Sequence, residues 1–219
     1  MARSLFPLLP LLVVVFSCSS WCGGGGALAA RPSPSDSDAA AAAGFVRSWC
    51  AGTEYPALCD STVGPYAAEV GSSPARLSWA ALTVTLDGAR NASAAMRRMA
   101  ASGRLPRVAA EAARDCVGML GDAVEMLRQS VEAMARLGED DQQKSNGNSS
   151  SRSSVRFQVD SVQTWASAAL TDDDTCLEGF RAVEAGARET VRGHVAGVAH
   201  LTANALAIVN AMAKQMPQS

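Results

Sequence analysis

Six cysteines in a chain of helix-forming residues place the tightest limit on how this sequence can fold. Cys18 and Cys22 lie inside an N-terminal segment with the features of a cleaved leader. The other four, Cys50, Cys59, Cys116 and Cys176, form an even set. In a small exported protein such a set means structural disulfides rather than chemistry. Four cysteines allow three pairings. The stretch Ala51-Gly52-Thr53-Glu54-Tyr55-Pro56 reads as a turn, with Gly52 tolerant of positive φ and Pro56 suited to the first turn of a new helix. A helix-turn-helix here brings Cys50 close to Cys59 and favours that bond together with Cys116–Cys176. The two alternatives would pull the hairpin onto the rest of the chain through both bonds. In the chain-entropy model the short loop, of about 10 residues, contributes roughly 2.7 kcal/mol, and the long one, of about 60 residues, near 4 kcal/mol.

The first residues set the expected compartment. Arg3, an apolar run from Leu5 to Phe16, and Ala27-Leu28-Ala29 make residues 1–29 a signal peptide. The run is about a dozen residues, whereas a membrane span needs roughly 20. Residues 30–43 are mostly Pro, Ser, Asp and Ala, too small and polar to bury much surface, and are expected to form a flexible arm. Residues 44–213 make one domain. The chain ends Lys214-Gln215-Met216-Pro217-Gln218-Ser219, with no apolar tail of the lipid-anchor kind. A soluble, secreted protein is expected, without membrane attachment. The net charge of −2 argues against nucleic acid as a partner, which calls for a basic domain.

Aromatic residues are only 5% of the chain, and Ala, Leu, Met, Arg and Glu dominate, which favours helix. Phe45 to Cys50 closes a short helix before the turn. Four longer amphipathic segments follow. The first, about 73–102, carries Leu77, Ala81, Val84, Gly88, Ala95 and Met99, with Ser73-Pro74 as cap and N1 proline. The second, about 106–137, carries Ala109, Ala112, Cys116, Met119, Ala123, Leu127, Val131 and Met134, with Gly138 as its stop. The third, about 155–170, repeats Val155, Val159, Val162, Ala166 and Ala169. The fourth, about 172–212, repeats Val191, Val195, Val198, Leu201, Ala205, Val209 and Met212. Stripes with this spacing are bundle seams, so the chain is expected to be all-α, a four-helix bundle. Residues 139–154, acidic and then Ser/Asn/Gly-rich, are expected to be a disordered loop.

Catalytic constellations are missing. There is no G-x-S-x-G, H-E-x-x-H or P-loop pattern. Neither cysteine pair has CxxC spacing, and His194 and His200 lie far from all four, so no metal and no cofactor are expected. The two histidines are six residues apart and point to different faces of a helix. Asp172-Asp173-Asp174 lacks the spacing of a calcium loop and is expected to precede the last helix, with Asp174 or Thr175 as its cap. Asn91-Ala92-Ser93 and Asn148-Ser149-Ser150 match the glycosylation sequon. Asn148 is the favoured acceptor, and Asn91 would have to face water. Arg97, Arg98, Arg104 and Arg107 cluster near one helix end.

Four blocks of this sequence resemble the plant invertase and pectin methylesterase inhibitor family. They are Phe45-Val46-Arg47-Ser48-Trp49-Cys50 with Thr53-Glu54-Tyr55-Pro56 and Leu58-Cys59; Ala112-Ala113-Arg114-Asp115-Cys116 with Asp122-Ala123-Val124 and Leu127; Val162 to Thr171 with Asp174-Thr175-Cys176 and Gly179-Phe180; and Leu201 to Ile208. The order of the blocks and all four cysteines agree. The chain departs from the commoner pattern at Val117-Gly118-Met119-Leu120, where Gly118 and Gly121 are expected to loosen the helix. The resemblance implies an up-and-down four-helix bundle preceded by a helical hairpin, with one disulfide in each. It also implies an apoplastic protein inhibitor without an active site of its own, binding pectin methylesterase one to one as a monomer and covering its cleft with bundle helices. Invertase inhibitors share the fold, so acid invertase is the alternative partner. Some of them carry Pro-Lys-Phe, whereas the lysines here are only Lys144 and Lys214. A secreted bundle with no enzyme target is a third reading.

Overall fold

A computed structural model describes residues 35–143 and 149–216. The expected signal peptide and Asn148 lie outside the described residues. Helices α1 (Asp36–Cys50) and α2 (Pro56–Val63) form the hairpin. A 3-10 turn (Gly64–Tyr66) and a single turn of helix, α3 (Ala67–Val70), lead into α4 (Pro74–Ala101), α5 (Arg107–Gln143), α6 (Ser149–Gly179) and α7 (Ala185–Gln215). There is no strand among the described residues.

Helices α4 to α7 run up and down, each packed on the next, and α7 closes the ring against α4. α4 and α6 are therefore diagonal. The hairpin packs chiefly against α4 and α7. α7 is long and apolar enough to cross a bilayer, yet half of that stretch is buried in the protein, as befits a core helix. Gly88 brings α4 close to α7, since a Cβ there would meet Leu201 Cδ1 at 3.3 Å.

Four expectations change. The arm over 30–43 is in part helix: α1 already begins at Asp36. Ser35 caps it, accepting the Asp38 N–H at 3.3 Å while the Asp38 carboxylate accepts the Ser35 N–H, and Ala39 to Ala43 follow. Alanine buries little but has the highest helix propensity, so lack of bulk did not mean lack of order.

The loop over 139–154 shrinks as well. α5 runs through Gly138 to Gln143, and α6 starts at Ser149. Once a helix is nucleated, each added residue gains a hydrogen bond, so propagation outlasts the last buried turn at Leu137. α5 is also unbroken through Gly118 and Gly121.

Asp172-Asp173-Asp174 caps nothing. It lies inside α6, and the break between the last two helices falls at 180–184. The buried positions of α6 are Val159, Val162, Ala166, Ala169, Asp173 and Cys176, continued just past its end by Phe180, an unbroken alternation of three and four. Asp173 occupies a core slot in that stripe, and a charged residue type there hid the continuity.

The seams also shift. In α5 the buried set includes Ala113, Leu120 and Ser130, while Ala112, Met119 and Val131 are half-buried. In α4, Leu82, Leu86, Ala89 and Met96 are buried, and Val84, Gly88 and Met99 only partly.

Candidate interaction surface

The described residues contain no group of His, Cys, Asp or Glu able to hold a metal. What the fold offers a partner is surface, and its parts are set by what the helices already cover.

One side is closed by the hairpin. Cys50 and Cys59, with Cα atoms 5.4 Å apart, join α1 to α2. The intervening turn is fastened to α7 by Asn204, which is only 3% exposed. Its Oδ1 accepts the Tyr55 N–H at 2.9 Å, and its Nδ2 donates to the Tyr55 carbonyl at 2.9 Å. One amide thus satisfies both backbone groups of the residue that opens α2. One turn earlier on α7, half-buried His200 stacks on the Tyr55 ring, with centroids 3.9 Å apart. His194 is exposed. Asn204 and His200 form a docking pair; the sequence named His200 without a partner and did not single out Asn204, although Asn204 lies in one of the recognisable blocks.

The second disulfide joins neighbouring helices. Cys116 on α5 and Cys176 near the end of α6 have Cα atoms 4.7 Å apart. Because Cys176 belongs to α6, the bond ties the second bundle helix to the third rather than to the last.

Between α6 and α7 lies an unusual polar contact. Asp173 is fully buried. Thr202 Oγ1 on α7 is 2.9 Å from Asp173 Oδ2 and 2.9 Å from the Val198 carbonyl. The single Thr202 hydroxyl proton is thus shared between the Asp173 carboxyl and the Val198 carbonyl, which leaves the carboxyl weakly satisfied. Asp173 Oδ1 has no partner. Burial pushes the carboxyl up to about 7, and the neighbouring Asp174 and Asp172 add to the rise.

The outward side of α6 is free of charge over a long stretch, as is the neighbouring stretch of α7 between Arg192 and Lys214. Between Asp160 and Asp172 it carries no Asp, Glu, Lys or Arg. Thr164, Ser167 and Thr171 are exposed, with Ala168 beside them half-buried. Thr164 donates to the Asp160 carbonyl, Thr171 to Ser167 and Thr175 to Thr171, at 2.6–3.0 Å, which holds the hydroxyls down on the helix. The groove toward α7 adds Gln163, Leu206 and Asn210 and is bounded at one end by Asp160, which pairs with Arg156 at 3.4 Å; Gln163 Nε2 donates to Asn210 Oδ1 at 2.6 Å. Eleven residues at about 1.5 Å each make an uncharged ridge roughly 16 Å long.

The sequon residue Asn91 is exposed on α4, diagonal to that ridge. Arg97, Arg98, Arg104 and Arg107 are all exposed at the α4–α5 turn. Arg107 pairs with Glu111 at 3.1 Å.

A family model described as plant invertase/pectin methylesterase inhibitor matches residues 44–208. The chain belongs to that family. It is a family of enzyme inhibitors without catalytic activity, in keeping with a fold whose assets are surfaces. Among relatives, pectinesterase inhibitor 10 of Arabidopsis thaliana is 36% identical over 166 residues, covering 76% of this chain and 50% of that protein. Pectinesterase inhibitor 11 of the same plant is 32% identical over 173 residues, covering 78% and 81%. This family member thus spans half the length of the first relative and most of the second. A crystal structure of a mutant form of a pectin methylesterase inhibitor from Arabidopsis superposes with a TM-score of 0.55 at 20% identity, covering 78% of this chain and 95% of that one. That likeness shows the inhibitor fold.

Proposed function

We propose that this protein is secreted into the apoplast and there binds a pectin methylesterase one to one, as a monomer, blocking access of pectin to the cleft. Residues 1–29 serve as the signal peptide. The α6 ridge is the surface that meets the enzyme, and it is the observation that carries the reading. Small side chains already fixed on their own helix lose little entropy on docking, and an uncharged helix ridge leaves no isolated charge to desolvate in a cleft. The hairpin and the Asn91 face lie elsewhere, so a glycan on Asn91 leaves the ridge free. Relatives named pectinesterase inhibitors favour this target. Acid invertase is the second reading, disfavoured by the lack of a Pro-Lys-Phe segment.

The test is a titration of the refolded, disulfide-intact chain from Ala30 to Ser219 against a plant pectin methylesterase and a cell-wall invertase in parallel. Esterase activity is expected to vanish near one equivalent with invertase untouched. Loss of invertase activity alone would reverse the target, and no effect on either would make the bundle a non-inhibitory binding protein.

A further inference from the structure

The α4–α5 tip is a concentration of positive charge in an acidic chain. Residues 91–110 contain four arginines and no Asp or Glu, while the whole chain carries a net −2. Among the described residues, no carboxylate pairs with Arg97, Arg98 or Arg104; other arginines such as Arg47, Arg114, Arg136 and Arg192 also stand without an ion pair, but singly rather than gathered at one end. Helix electrostatics explains only half of the tip. Arg97 and Arg98 sit near the end of α4, where a cation is favourable. Arg104 and Arg107 sit at the start of α5, where it is not, and the first turn of α5 holds no acid in compensation. Gly103, at φ 64°, turns the chain so that the two helix ends carry their arginines to one end of the bundle.

We propose that this tip docks the protein onto a polyuronate, the free-carboxylate form of pectin. The partner follows from charge and place, and it rests on the reading of the protein as a cell-wall esterase inhibitor. Guanidinium forks match planar carboxylates and not their methyl esters. A polymer bearing closely spaced carboxylates is what a pectin methylesterase leaves behind. The tip is separate from the α6 ridge, so the inhibitor holds the polymer and the enzyme on different surfaces, which keeps it where de-esterification has already occurred.

The experiment measures retention of the disulfide-intact chain, Ala30 to Ser219, on immobilised polygalacturonate and on fully methyl-esterified pectin. It compares the wild type with the triple variant R97Q/R98Q/R104Q and with R97K/R98K/R104K. The wild type is expected to bind polygalacturonate with an affinity that falls about tenfold or more between 50 and 200 mM salt, the response of a protein that neutralises several polyanion charges. It should ignore the ester. The Gln variant should lose about tenfold or more of that affinity with esterase inhibition and melting temperature unchanged, and the Lys variant should keep much of it. Three results overturn the proposal: no wild-type binding to polygalacturonate, equal binding to the ester, or a Gln variant that loses esterase inhibition instead. Polygalacturonate binding by a chain that fails to inhibit esterase would leave the tip standing and sink only the ridge.

Discussion

Two buried polar side chains, one on α7 facing the hairpin turn and one on α6 facing α7, are treated in opposite ways. Asn204 on α7 is fully matched: both ends of its amide meet the backbone of Tyr55, and the hairpin is seated by that match. Asp173 on α6 is half matched: one oxygen meets Thr202, and the other meets nothing. A neutral amide in a core seam specifies where an element docks at no electrostatic risk. Burial of a carboxyl in such a position favours the neutral acid, which ties the stability of the α6–α7 seam to pH.

The largest expected effect comes from breaking the weak member with base. The folded-state pKa of Asp173 is raised, so between the ordinary carboxyl value of 3.8 and about 7 the folded protein holds a proton that the unfolded chain has released. Unfolding then releases a proton, and stability falls as pH rises through that window and levels off above it. The loss is on the order of 4 kcal/mol. Asp173→Asn should flatten the curve and exceed the wild type above pH 7, as read by urea unfolding at a series of pH values. A variant with the wild-type slope would place the titrating group elsewhere.

Breaking the matched member comes next. Asn204→Ala leaves the Tyr55 N–H and carbonyl without their partner and should lower stability by about 3 kcal/mol. The 51–55 turn should become a preferred site of limited proteolysis, while an unchanged digestion pattern would show the hairpin held by other contacts. Replacing Cys50 and Cys59 together by Ala should lower stability by about 2.7 kcal/mol and open the hairpin to protease without altering protection of α6. The smallest effect is that of His200→Ala, which removes only the ring stack on Tyr55 and should cost about 1 kcal/mol by thermal melting.

The same contrast explains what could be read from the sequence. α4 was legible because its signals agree: Ser73 accepts the Arg76 N–H, Pro74 follows, and Gly103 ends the turn. Apolar periodicity likewise announced the bundle. The α6–α7 boundary was misplaced because three aspartates look like a helix start, and nothing local reveals that the middle one is folded inward. α1 was cut short because its alanines stabilise helix through the backbone and bury little. Asn204 gave no signal, since its role depends on a residue 149 positions away. The ridge was present as a charge-free stretch between Asp160 and Asp172 and became a surface only once α4 and the hairpin were seen to lie on other sides.

The claim that an esterase meets α6 is tested most directly by the inhibition constant of Ser167→Arg. Ser167 is exposed and its side chain supports no core contact, so the fold should be unchanged, while a long cation in the middle of the ridge should weaken esterase inhibition by about 100-fold, or roughly 2.7 kcal/mol. Inhibition as tight as that of the wild type, by a variant with an unchanged melting temperature, would contradict the assignment and move the enzyme contact to another face of the bundle.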